Sequence, residues 1–217
     1  MIRIAPIAAR LLPLLLAALA IPAQAQLSVD VTDESASNLK IAIPAMPTDN
    51  AVATPAGTTA ELGQKIAQVI ADDLRGSGLF EPQGPAGVRT ISMGEVNTPA
   101  YPGWGGFEAL VQGYVRSAGG DSTITVGCYL YDVALKSELS RQGYVGPPGE
   151  WRSAAHKCAD LIYARLTGES PFFNSRIAYI AESGPKGNRI KRLAIMDSDG
   201  GNHRFITNGQ ALAISPR

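Results

Sequence analysis

An amphipathic helix with one apolar stripe constrains the fold of this chain more than any other feature. Thr58 and Glu61 have the spacing of a capping box, which predicts that the helix begins there. Gly76 and Gly78 predict where it ends. The stripe consists of Leu62, Ile66, Val69, Ile70 and Leu74. A helix with a single apolar stripe must cover another element, so the sequence predicts a layered domain.

The polar side of this helix carries Asp72, Asp73 and Arg75, which are expected to face water. A second helix is predicted from Trp151 to Gly168, where glycine ends it. Its stripe consists of Ala154, Ala155, Cys158, Leu161, Ile162 and Leu166. The chain therefore has two helices, and each must pack its apolar stripe against a sheet.

Short apolar segments supply that sheet. Leu39 to Ile43 is predicted to be a buried first strand because it is apolar and is followed by Pro44. Three further strands are predicted over residues 109–116, 123–133 and 138–145, with hairpin-length connections. The predicted fold class is α+β, with two helices packed on a mixed, largely antiparallel sheet and followed by the start of a β-propeller.

The propeller expectation comes from the last part of the chain. Short antiparallel strands are predicted over residues 176–182, 190–196 and 204–207, which is typical of a sheet or a propeller blade. The oxygen ligands of Asp197, Asp199 and Asn202 raise the alternative of a calcium site. An EF-hand loop would need a further Asp or Asn before its glycine and a Glu beyond it, and neither is present, so a turn is the favoured interpretation.

Gly and Pro residues with interleaved aromatic residues fill the segment from Pro82 to Gly106. Tyr101, Trp104 and Phe107 are expected to anchor this connection against the core. An aromatic ligand-binding loop is the alternative.

Two cysteines, Cys128 and Cys158, fall on faces that should meet where the second helix packs on the sheet. A disulfide between them and a pair of buried free thiols are both open, because only the distance between the Cα atoms can decide.

The first 25 residues have the pattern of a secretory signal peptide. Arg3 and Arg10 precede an apolar run from Leu11 to Ile21, and cleavage is expected between Ala25 and Gln26. The apolar run is too short to span a bilayer, which takes about 20 residues. An exported protein in an oxidising compartment is therefore predicted, with no transmembrane segment.

Charge gives no indication of a nucleic-acid or lipid partner. Removing residues 1–25 removes two of the 19 basic residues and none of the 19 acidic residues, which leaves a net charge of about −2.

The residues after the cleavage site form a polar arm, residues 26–38, with alternating apolar positions. The alternation begins with Gln26, Leu27, Ser28, Val29, Asp30 and Val31. This pattern is typical of an edge strand or of a flexible arm that becomes a strand on a partner, and a frayed end is the alternative.

The sequence offers little for catalysis. His156 lies in the second helix and His203 after a turn, and neither has an evident nucleophile or metal-binding motif beside it. His156 and Cys158 point to different sides of a helix and are poorly placed to share a metal. We predict no catalytic residue, no metal site and no cofactor.

Three segments resemble the TolB family. IAQVIADDLRGSGLF from Ile66 is similar to its first helix, and WRSAAHKCADLIYARLTGESPFFNSRIAYIAE from Trp151 to its second helix running into the propeller. LAIMDSDGGNHRFIT from Leu193 resembles the inner hairpin of a propeller blade. The resemblance implies the domain order 1–25 signal peptide, 26–38 arm, 39–170 α/β domain and 171–217 incomplete propeller.

The resemblance also implies a function. It predicts a periplasmic adaptor of the Tol-Pal system that supports outer-membrane integrity and envelope constriction during division, with no enzymatic activity. The carboxy-terminal domain of TolA would bind the arm, and the lipoprotein Pal would bind the propeller. Only about one blade is present before Arg217, so Pal binding is in doubt for a fragment or a truncated protein. A fragment of a periplasmic propeller-containing hydrolase or peptidase is the alternative.

Overall fold

The computed structural model describes residue 27, residues 38–120 and residues 122–210. Within these ranges the chain forms two helices, α1 (Thr59–Gly76) and α2 (Trp151–Thr167), together with ten strands. In chain order the strands are β1 (Leu39–Ala42), β2 (Ala53–Thr54), β3 (Gly57–Thr58), β4 (Phe80–Gln83), β5 (Ala109–Ser117), β6 (Ile124–Asp132), β7 (Ser137–Gly146), β8 (Arg176–Ser183), β9 (Ile190–Asp197) and β10 (Arg204–Phe205). The predicted α+β class is confirmed.

Local sequence signals set the ends of both helices. The Thr58 hydroxyl accepts a hydrogen bond from the Glu61 N–H at 3.2 Å, and the Thr58 N–H donates to the Glu61 carboxylate at 2.9 Å. These reciprocal bonds satisfy two groups that a helix start leaves unpaired, as the capping box predicts. Gly168 ends α2 with a φ of 76°, a left-handed conformation that glycine adopts without strain.

The main sheet has the order β4-β1-β5-β6-β7. Strand β1 pairs in parallel with β4 and β5, and the two remaining pairings are antiparallel. The sheet is mixed as predicted, but its parallel part is larger than predicted, because Phe80–Gln83, to which the sequence assigned no strand, forms an edge strand. A four-residue strand that contains Pro82 lacks the usual strand signals, and an edge position tolerates that proline.

Both helices lie on one face of this sheet and enclose the main core. The predicted alternation on β6 is confirmed, since Ile124, Val126, Cys128 and Leu130 are all buried in that core. On the opposite face, Trp104 is 1% exposed and packs in a second apolar cluster with Tyr131. The Tyr131 hydroxyl donates to the carbonyl oxygen of Val96 at 2.7 Å. The anchoring role predicted for the aromatic connection is confirmed.

A second, three-stranded sheet follows α2, with the order β10-β9-β8 and antiparallel pairing throughout. The connection to it is fixed on α2, where Asp160 accepts from the Phe173 N–H at 2.8 Å and the Asn174 N–H at 3.2 Å. Phe173 itself is 3% exposed and belongs to the main core. Ser198, after β9, donates its hydroxyl proton to the Phe173 carbonyl at 2.6 Å. The last sheet is therefore tied to the helices through a short buried connection.

Among the helices of the described ranges, none is both long enough and apolar enough to cross a membrane.

Candidate functional site

A partly buried cluster of charged side chains lies where α1, α2 and the turn after β9 meet. It contains Asp73 from α1, Arg152 and His156 from α2, and Asp197 and Asp199 from the end of β9 and its turn. Charged groups are rarely buried unless they are paired, so the burial of Asp73, His156 and Asp197 marks this junction as a candidate site.

His156 is the centre of the cluster, and its side chain is only 2% exposed. Its Nδ1 lies 2.7 Å from the Asp73 carboxylate, and because an ionised carboxylate can only accept, Nδ1–H is the donor of this bond. Its Nε2 has no hydrogen-bond partner and lies 3.7 Å from Asp197 Oδ2 and 4.0 Å from Asp199 Oδ1. The ring therefore faces three carboxylates that come from two separate parts of the chain.

The structure corrects the prediction for Asp73, which was expected to face water. Its side chain is 1% exposed, whereas the neighbouring Asp72 is half exposed and pairs with Arg75 at 2.6 Å. Asp73 lies at the border of the apolar stripe, where the helix turns it toward α2 instead of toward solvent. The hydrogen bond from His156 supplies the partner that a buried carboxylate requires.

Arg152 connects α2 to the turn. Its guanidinium donates to Asp197 at 3.2 Å and to Asp199, and its side chain is 17% exposed. Asn202 also donates to Asp197, at 2.7 Å. The turn itself closes with the Asp197 N–H donating to the Gly201 carbonyl at 2.8 Å. The turn predicted at these residues is present, and its carboxylates accept hydrogen bonds from Arg152 and Asn202.

Burial and hydrogen bonding act together on the His156–Asp73 pair. Burial opposes the charged imidazolium, but the hydrogen bond to Asp73 and the negative charges of Asp73 and Asp199 outweigh it and raise the pKa of His156. Burial raises the pKa of Asp73, and the hydrogen bond from His156 offsets this only in part. The pair consequently holds its protons more tightly than two separate exposed side chains would.

Asp73, His156 and Asp199 offer ligand atoms that lie within 4.8 Å of one another, and no other trio of metal-ligating side chains in the described ranges does so. The guanidinium of Arg152 already pairs with Asp199, one of these three side chains. A cavity of about 160 Å³ adjoins His156 and is also lined by Glu150, Ser153, Arg176 and Asp197, among others. The arrangement is that of an ionic network with access to water.

The two cysteines lie together between α2 and the sheet, as predicted. Cys128 and Cys158 are both fully buried, and both are free thiols. This is the second of the two alternatives that the sequence left open. Burial raises the pKa of the Cys158 thiol, which keeps it in the unreactive protonated form.

Of the partner-contact residues predicted at the start of the arm, Gln26 to Val31, only Leu27 lies within the described residues. Leu27 is partly buried and packs against the main core. The other predicted contact residues and the cleavage site lie outside the described ranges: Ala25, Gln26, Ser28, Val29, Asp30 and Val31.

Sequence reasoning missed the charged cluster as a site. It found no motif beside His156, and the structure shows that this residue is buried and bonded to a carboxylate 83 positions away. One signal was available: Asp73 and His156 both fall next to the apolar stripes of helices that were predicted to share a sheet.

The family model of the TolB amino-terminal domain matches residues 27–139, which is just over half of the chain. The Tol-Pal system protein TolB of Rhizorhabdus wittichii is 56% identical over 204 residues, which cover 93% of this chain and 46% of that protein. The protein of the same name from Sphingopyxis alaskensis is 63% identical over 82% of this chain and 39% of its own length. The chain thus spans less than half the length of these relatives.

A solved structure shows the same fold. The crystal structure of TolB from Acinetobacter baumannii has a TM-score of 0.61 and 24% sequence identity, and the match covers 84% of this chain and 41% of that one. The family model, the relatives and the shared fold agree. The chain belongs to the TolB family.

Proposed function

We propose that this chain works in the periplasm as a protein–protein adaptor of the Tol-Pal system, supporting outer-membrane integrity and envelope constriction during division. The single observation that carries the proposal is the match to the TolB amino-terminal domain over residues 27–139. The names of the relatives, Tol-Pal system protein TolB, support the same system. They favour an adaptor over a fragment of a hydrolase or peptidase, and we propose no catalytic activity.

The arm, residues 26–38, is proposed to bind the carboxy-terminal domain of TolA by adding a strand to a sheet of that domain. Backbone hydrogen bonds would give the affinity, and the alternating Leu27, Val29 and Val31 would set the register. Leu27 packs on the main core, which supports an arm that rests on its own domain when no partner is bound. Partner binding then shifts a population between a docked and a released arm.

The last sheet is proposed to be the first blade of a propeller, and Pal is proposed to bind the propeller when it is complete. Its strands are short, antiparallel and joined by tight turns, as in a blade. Four large apolar side chains on this sheet and its end are between 41% and 50% exposed: Ile177, Ile190, Phe205 and Ile206. Exposed apolar patches of this kind mark contact surfaces, which supports further blades as their cover.

Binding of the TolA carboxy-terminal domain tests the proposal. Changing Val29→Asp together with Val31→Asp should weaken binding at least about tenfold, because each buried valine contributes roughly 1.5 kcal/mol and 1.4 kcal/mol is a tenfold change. Biolayer interferometry against the immobilised TolA domain measures this, with a chain that starts at Asn38 as the arm-free reference.

The matched control is Ser28→Asp together with Thr32→Asp, which adds the same charge to the other side of the strand. It should bind within about threefold of the unchanged chain. Equal binding by the unchanged chain and the arm-free chain would remove the arm from the proposal. Recovery of the protein from the cytosol instead of the periplasm would overturn the proposed location.

A further inference from the structure

We propose that His156 is a proton-operated latch: its imidazolium form holds the last sheet on the two helices, and loss of the proton loosens that junction. This inference goes beyond partner binding by the arm and does not depend on it. It rests on the contacts of one side chain with three elements. His156 stands on α2, bonds to Asp73 on α1 at 2.7 Å and faces Asp197 and Asp199 of the β9 turn.

The charges around His156 balance when it is protonated. Three carboxylates face it, Asp73 from α1 and Asp197 and Asp199 from the end of β9. Two cations offset them, Arg152 from α2 and the more exposed Arg176 from β8, whose Nε lies 3.9 Å from Asp197. An imidazolium supplies the third positive charge, whereas a neutral ring leaves one negative charge uncompensated in a buried site.

The orientation of the ring makes the effect specific to the junction. Nδ1–H is engaged by Asp73, so the titrating position is Nε2, which has no hydrogen-bond partner. As an N–H it attracts the carboxylates of Asp197 and Asp199. As a bare nitrogen it presents a lone pair to them, and that contact becomes repulsive.

Protons can reach this nitrogen. The cavity of about 160 Å³ beside His156 extends along Glu150, Ser153, Arg176 and Asp197 and is large enough for water. Glu150 is the one further titratable group on this wall. The latch can therefore respond to the pH of the medium without unfolding of the core.

The direction of the effect follows from the raised pKa of His156. A histidine whose pKa is higher in the folded state stabilises the fold fully below its ordinary value of 6.5, and the stabilisation is lost as the pH rises through the folded value. Burial also raises the pKa of Asp73, which acts in the same direction at a lower pH. The junction is thus expected to be tight in mild acid and loose in mild alkali.

Hydrogen exchange of the full chain tests the latch, with rates corrected for the intrinsic effect of pH. Between pH 6 and pH 9 the protection of the β9 amides should fall by at least about tenfold, while the β6 amides keep theirs as an internal reference. His156→Gln should give low β9 protection at both pH values. NMR titration of His156, with its signal assigned through His203→Gln, should show the transition at the same pH as the loss of protection.

A matched pair of variants separates the latch from a general charge effect. Asp73→Asn should move the transition to lower pH, because it removes the carboxylate that supports the imidazolium. Asp72→Asn removes the exposed neighbour and should leave the transition in place. Protection of β9 that does not change with pH, or changes equally in His156→Gln, would overturn the latch. Loss of β9 protection on adding a chelator at pH 6 would overturn it in favour of a bound divalent cation.

Discussion

Asp72 and Asp73 are neighbours of the same residue type with opposite environments. Asp72 is half exposed in an ion pair on the surface, which is worth little in water, whereas Asp73 is buried against His156. A helix turns by about 100° per residue, so one step carries a side chain from solvent to the edge of the buried stripe. Which of the two adjacent aspartates is buried against a histidine depends on the position of α2.

The cysteine pair shows the same dependence on a second element. Titration with a thiol reagent should detect no reactive thiol in the folded chain, because Cys128 and Cys158 are both fully buried. After denaturation without reductant it should detect two. A disulfide would leave no thiol until a reductant is added, and that result would contradict the thiol description.

Strand β4 and helix α1 illustrate what a whole element contributes. The capping box fixes the start of α1 through bonds between residues three positions apart, and this is visible in the sequence. Strand β4 forms only because β1 offers its edge, with Leu39 paired to Phe80 and Ala42 to Gln83. Parallel pairing of two four-residue strands is a non-local event that propensity does not encode.

Close packing of α1 on the segment after β1 predicts a sharp difference between two glycines of the same helix. A Cβ on Gly63 would overlap the carbonyl oxygen of Met46, while a Cβ on Gly76 would meet nothing within 4 Å. Gly63→Ala should therefore lower the free energy of unfolding by about 1–3 kcal/mol. Urea denaturation measures this change.

The control for Gly63→Ala is Gly76→Ala. It should be neutral or stabilise the chain by up to about 1 kcal/mol, because alanine is the better helix former. Equal stability of the two variants would mean that α1 does not lie against Met46 as described.

The molecule as a whole depends on the short connection between its two sheets. Phe173 inserts into the main core, and Arg152 and His156 meet the turn of the last sheet nearby. Apolar burial and the ionic cluster thus act on the same junction. The Phe173 side chain does not titrate, so its apolar contact with the main core does not depend on pH. The proposed protonation of His156 adds a pH-dependent contact at the same junction.

Truncating this anchor should weaken the whole junction. Phe173→Ala is expected to cost about 3–5 kcal/mol of unfolding free energy, because a large buried side chain leaves a cavity. It should also expose the connection to proteolysis. Phe172→Ala removes the neighbouring ring, which is 49% exposed, and should cost less than about 1 kcal/mol. Urea denaturation measures the unfolding free energy of both variants. Similar losses of unfolding free energy in the two variants would argue against the Phe173 anchor.

The sequence by itself determined the elements and the faces they bury. The stripe of α1, the capping box at Thr58, the left-handed Gly168 and the alternation along β6 are local patterns, and each acts within a few residues of where it is read. Family resemblance rested on the same local segments.

Only the tertiary structure decided which polar groups were buried together. Asp73, His156 and Asp197 are far apart in the chain, and no local pattern links them. The physical reason is that an apolar stripe in the sequence shows which face of an element must be buried. The partner of a buried charge depends instead on how α1, α2 and the turn after β9 are oriented relative to one another.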